Sequence, residues 1–188
     1  VQIYLPLPII RSRIMEKNKV AGFDLSLSST GFSVKGKTDI LTSKKKGEER
    51  LQEYYIQFNN LIKEYKFEVA ILENYAFSSP FQREALAELG GVFKLACANN
   101  NVIVVMIPPT SLKKFVTGGG KAKKDEMRLY AYKKWGIEFE TNDEVDAYAL
   151  RKLGEKIVSK EPVTQYESEV IARVLQKLSP EAIEKLRS

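Results

Sequence analysis

Apolar runs that end abruptly in an acid mark this chain. Residues 20–24 form a short apolar stretch closing on Asp24, and residues 69–72 form another that closes on Glu73; both read as central strands. Residues 102–107 are apolar throughout, as in a strand covered on both faces. Residues 31–34 alternate, residues 38–42 follow as a third strand, and Gly36 and Lys37 supply the hairpin turn. Helical spacing appears at Leu51, Tyr54, Tyr55, Phe58, Leu61 and Ile62 within residues 48–65. Pro80 opens a second helix, which turns Leu86, Leu89, Val92, Phe93 and Ala96 inward and stops at Asn99 to Asn101.

Beyond the third apolar run, Pro108, Pro109 and Thr110 read as a turn and N-cap for a short helix over 111–115. Residues 118–120, all glycine, read as a flexible loop, and 122–135 as a lysine-bearing helix. Asn142 reads as the cap of a helix through about residue 158. A further helical pattern covers 167–178, and Pro180 begins a short last one. Three meandering strands followed by strands alternating with helices predict an α/β fold, a mixed five-stranded sheet flanked by helices in three layers. Residues 1–14 read as a non-native or upstream extension before Met15, residues 15–158 as the main domain, and 159–188 as a C-terminal helical extension.

Composition narrows the chemistry. The 188 residues carry a net charge of +6, with pI ≈ 9.2, which favours a polyanionic partner. Histidine is absent, so imidazole catalysis, a Ser-His-Asp triad and a zinc site with a His ligand are excluded. Cys97, the sole cysteine, lies in a small apolar helical stretch and reads as buried packing in a reducing cytoplasm. No stretch reaches the ~18 apolar residues of a membrane span.

Four acids then stand out: Asp24, Glu73, Asp143 and Asp146. The first two close adjacent strand candidates, and strand ends are where open α/β sheets hold ligands. Asp143 and Asp146 are three apart and share a helical face, while Glu144 points aside. Residues 137–150 hold five acids and no Lys or Arg, a stretch that calls for a cation. Ordinary acidic helix starts, favoured by the helix dipole, are the plain alternative. Oxygen ligands without histidine suit Mg²⁺ or Mn²⁺, and two such ions can activate a water and stabilise the leaving oxygen of a phosphodiester.

The basic counterpart lies immediately upstream. Residues 111–136 contain eight Lys or Arg against two acids, among them Lys113, Lys114, Lys121, Lys123 and Lys124. Such a segment beside a metal centre fits contact with a nucleic-acid backbone, and a solvated basic helix face is the alternative. Tyr75 and Phe77, in the loop after Glu73, are candidates for stacking on or wedging between bases.

The run GFDLSLSSTG at 22–31, Glu73 at the end of its strand, the segment VTGGGKAKKD at 116–125 and DEVDAYAL at 143–150 together resemble the RuvC family of Holliday junction resolvases. These are nucleases of ribonuclease H-like fold. The resemblance covers about residues 20–158. It implies a homodimer that binds a four-way DNA junction and nicks two strands symmetrically, in the cytoplasm of a bacterium or of a bacteriophage's host. It implies Asp24, Glu73, Asp143 and Asp146 as ligands of two Mg²⁺ ions, with Mn²⁺ able to substitute. Lys121 and Lys124 match its basic positions, Phe77 or Tyr75 its junction-opening aromatic, and the helix after Pro80 its pairing surface. The serine-rich turn suggests a bacteriophage-type branch. Competing readings are a ribonuclease H-like or transposase-like enzyme on another nucleic acid, and a junction-binding protein without catalysis. An actin-like ATPase shares the opening loop but requires a second phosphate loop, which is missing from these 188 residues.

Overall fold

The computed structural model of the chain describes residues 3–4, 19–74, 80–159, 161 and 163–187. Strands β1 (Ile3–Tyr4), β2 (Val20–Asp24), β3 (Ser29–Val34), β4 (Lys37–Thr42), β5 (Val69–Glu73) and β6 (Ile103–Ile107) form one sheet in the order β1-β6-β5-β2-β3-β4. The five predicted strands are all present, and β1 adds two residues antiparallel to β6 at the edge. β2, β5 and β6 run parallel, while β3 and β4 are antiparallel, so the sheet is mixed.

Side chains alternate across a sheet, so each parallel strand feeds two layers. Ala21, Phe23, Ala70, Leu72, Val104 and Met106 face α1 (Gly47–Tyr65) and α2 (Pro80–Asn99). Phe23, Phe58 and Phe93 pack ring on ring there, with the Phe23–Phe93 centroids 4.6 Å apart. Cys97 is buried in this layer, and burial pushes its thiol pKa far up, which leaves it inert packing as expected. The opposite face, with Val20, Val69, Ile71, Ile103, Val105 and Ile107, meets α3 (Pro109–Thr117), α4 (Lys124–Trp135), α5 (Asn142–Ser159), α6 (Gln165–Leu175) and α7 (Pro180–Arg187).

Helix α5 lies almost directly on the sheet because glycines clear its path. A Cβ on Gly22 would sit 2.1 Å from the Ala147 carbonyl oxygen, and one on Gly154 would sit 2.4 Å from Ile71 Cγ1. Buried Arg151 then ties α5 to β3: its Nε donates to Ser33 Oγ at 2.9 Å, and its guanidinium pairs with Glu155.

Two caps differ from expectation. α3 begins at Pro109 with Pro108 as its N-cap, so Thr110 lies inside the helix; proline at the first helical position loses no useful donor. α5 is capped by Thr141 rather than Asn142. The Glu144 carboxylate accepts from the Thr141 amide at 2.8 Å and from its hydroxyl at 2.9 Å, while the Glu144 amide donates back to that hydroxyl. This reciprocal pairing is a capping box, and it explains why Glu144 turns aside.

Candidate metal centre

Period-two alternation puts Asp24 in line with Val20 and Gly22, and Glu73 in line with Val69 and Ile71. Both acids therefore rise from the face that carries α5. β2 and β5 pair in parallel register, with Phe23 beside Leu72, so the next residues on each strand, Asp24 and Glu73, end level. The α5 N-terminus is brought over this end by a second glycine. Gly31, the ladder partner of Asp24, would place a Cβ 2.1 Å from the Asp143 carbonyl oxygen. One turn of helix then suffices to hang Asp146 above the strand ends.

Asp24, Glu73 and Asp146 converge. Each offers a carboxylate oxygen within 4.8 Å of the others, and all three are half-buried. Among the described residues this is the one group of three or more potential ligands so arranged. Carboxylates this close disfavour one another's charged form, and a cation relieves that cost. The donor set is entirely oxygen, which fits a hard divalent cation. Asp143 lines the same cavity but falls outside the converging trio.

The cavity measures about 280 Å³ and is lined also by Pro109, Leu112, Lys113, Met127, Asn142 and Val145. Lys113 thus stands at the acid cluster itself rather than in the basic loop beyond it. Pro109, Leu112 and Lys113 are spaced three and four apart on α3, a helical face that grouping the lysines by charge alone had hidden. The five acids of residues 137–150 divide: Asp143 and Asp146 line this cavity, while Glu138, Glu140 and Glu144 line a separate one of about 530 Å³ with Lys37 and Arg151.

The other basic residues take distinct places. Lys121 and Lys123 are exposed. Lys114 pairs with Glu169 of α6. Lys124 opens α4, its side chain outside the described residues, as are Tyr75 and Phe77. In the glycine segment, Thr117 Oγ1 accepts from the Gly119 amide at 3.1 Å and lies 2.9 Å from both the Lys113 and the Gly119 carbonyl oxygens, and Gly118 takes the left-handed conformation at φ 81.

The family model for the crossover junction endodeoxyribonuclease RuvC matches residues 20–151. The chain belongs to the RuvC family. Among curated members, the RuvC endonuclease of Fusobacterium nucleatum is 30% identical over 146 residues, covering 70% of this chain and 77% of that protein. The Brachyspira hyodysenteriae RuvC endonuclease is 34% identical over 103 residues, or 54% of this chain and 64% of its own. In three dimensions the chain resembles Thermus thermophilus RuvC in complex with Holliday junction substrate, with a TM-score of 0.62 at 19% identity, over 70% of this chain and 89% of that one; at that identity the likeness speaks for the fold, which is ribonuclease H-like. The RuvC match runs from the first residue of β2 into α5, so it contains all four acids and leaves α6 and α7 outside. Among the described residues no helix is long and apolar enough to cross a membrane.

Proposed function

We propose that this chain is a structure-selective endonuclease that resolves four-way DNA junctions by paired, symmetric nicks. The observation that carries this reading is the convergence of Asp24, Glu73 and Asp146 at one end of a RuvC-family sheet. These three carboxylates, with Asp143 at their flank, would hold two Mg²⁺ ions, and Mn²⁺ would substitute. Bound divalent ions supply water activation and charge stabilisation for phosphodiester hydrolysis. The chain's own residues do the rest. Lys113, half-buried beside the acids, draws a phosphate toward the cavity, and exposed Lys121 and Lys123 grip the flanking backbone. Lys124, Tyr75 and Phe77 are assigned to DNA contact by family resemblance alone.

Two symmetric nicks require two sites, hence a homodimer. α2 is the proposed pairing helix: it exposes Leu95, and α1, which packs against it, exposes Ile56, each 53% accessible. A monomer by light scattering, with and without junction, would count against paired nicking.

The test is Mg²⁺-dependent cleavage of a synthetic four-way junction compared with linear duplex and RNA–DNA hybrid of matched sequence. The junction is expected to be cut in preference to both. Preferential hydrolysis of the hybrid would move the chain to a ribonuclease H-like role, and tight junction binding without cleavage would make it a binding protein.

A further inference from the structure

The family match ends at Arg151, yet the chain continues into α6 and α7. Both helices bury apolar residues, Val170, Val174, Ala182 and Leu186, in the core layer shared with α3 and α5. The polar edge of α6 meets the basic segment at three points. Glu169 pairs with Lys114 of α3. Glu167 pairs with Lys134 of α4 at 2.7 Å, and the same ammonium donates to the Phe115 carbonyl at 2.6 Å. That carbonyl belongs to the last turn of α3, where helix carbonyls lack partners within the helix. Tyr166 lies between these contacts. Its ring centroid is 5.3 Å from Lys134 Nζ, and its edge is 3.8 Å from where a Cβ on Gly118 would sit.

Gly118 is the residue at which α3 ends and the basic loop begins, and α4 takes the chain up again after Lys123. One short helix therefore touches both helices that flank the loop. We propose that α6 is a brace that positions the basic loop, residues 118–123, for DNA, and that Tyr166 is its positioning residue. The proposal rests on the DNA-binding reading above. Its physical basis is entropic. Lys121 and Lys123 are exposed on a loop with three glycines, and a loop that must be ordered at binding forfeits part of each phosphate contact. An anchor set during folding removes that loss. Because the Tyr166 side chain carries no charge, its removal alters loop position without altering the long-range attraction for DNA.

The experiment uses the full chain with Tyr166→Ala and Tyr166→Phe. Affinity for a synthetic four-way junction is measured without metal, and single-turnover cleavage is measured with Mg²⁺ at saturating protein. Tyr166→Ala is expected to weaken junction binding about five- to tenfold, the cost of re-ordering two lysines at binding. The saturated cleavage rate stays within about twofold, because no α6 residue lines the cavity that holds the acids. Tyr166→Phe keeps the ring and restores wild-type affinity. Should Tyr166→Ala fail to fold by thermal melting, Tyr166→Leu, which keeps apolar bulk but not the ring, carries the same expectation. A wild type that binds and a Tyr166→Ala protein that binds equally well overturn the brace alone. A wild type with no affinity for the junction overturns the DNA-binding reading and the brace with it.

Discussion

Gly31→Ala adds one methyl group at the tightest point of the frame around the acids. The new Cβ would lie 2.1 Å from the Asp143 carbonyl oxygen and 2.5 Å from its carbon, where ordinary contact begins at 3.4 Å. Both obstructing atoms are backbone, so no side chain can swing clear. Either β3 or the first turn of α5 must retreat by more than about 1 Å in a close-packed layer. Overpacking of this kind costs about 2 kcal/mol, which lowers the melting temperature by ~4–8 °C in a chain of this length. The retreating turn carries Asp143 and Asp146, and an ångström of misplacement is worth about 10²-fold in rate. The assay is a Mg²⁺ titration of junction cleavage beside a thermal melt. More Mg²⁺ is needed for half-maximal rate and the maximum falls, while metal-free junction binding stays within about twofold because the basic loop is untouched. Gly91→Ala is the control for the melt: open space surrounds that position on α2, and alanine favours a helix by up to about 1 kcal/mol. A Gly31→Ala protein with wild-type melting and metal requirement would refute the claim that glycine clearance seats the acidic helix.

Lys121→Ala is expected to lower the salt dependence of junction binding by roughly one unit in log–log slope; an unchanged slope would place this lysine away from phosphate. Glu167 yields a pH prediction. Burial alone would raise its carboxyl, but the Lys134 hydrogen bond, the Thr164 amide and the Lys134 charge overcome that and hold it below the usual carboxylate range. A carboxyl depressed in the folded state stabilises above its unfolded pKa of about 4.3, and loses that contribution as pH falls through the lower folded value. Glu167→Gln should therefore melt below wild type at neutral pH, and the gap should close as the pH falls below the unfolded value and through the lower folded one. A gap independent of pH would mean the ion pair contributes nothing.

Those parts of the fold set by local pattern were legible in the chain. The apolar runs closing on Asp24 and Glu73 are strands, and their parity alone places both acids on one face. Contacts made across long sequence separation were not legible. Gly22 and Gly31 look like turn-forming or generic glycines until α5, more than a hundred residues later, is seen against them. Ser29 and Thr30 lie in the serine-rich run just before residue 31, where the alternation of the strand becomes visible, yet β3 begins at Ser29. Thr30 is fully buried, its hydroxyl donating to Ser26 O at 2.9 Å, which removes the cost of a polar group in the core. Thr141 and Asn142 are both good caps by residue type, and the carboxylate three positions past Thr141 decides between them. Lys113 and Lys114 are neighbours of equal charge, but helical geometry points them apart, Lys113 toward the acids and Lys114 toward Glu169. No reading of one residue at a time separates that pair.

The central claim is that the three converging carboxylates hold the metal that cuts DNA. Asp146→Asn tests it most directly, because amide and carboxylate have nearly the same shape, while the charge is lost and one ligating oxygen becomes an NH₂ donor. Junction cleavage with Mg²⁺ is expected to fall by at least about 10²-fold, while metal-free junction binding stays within about twofold. An Asp146→Asn protein that cuts the junction at close to the wild-type rate would contradict the account.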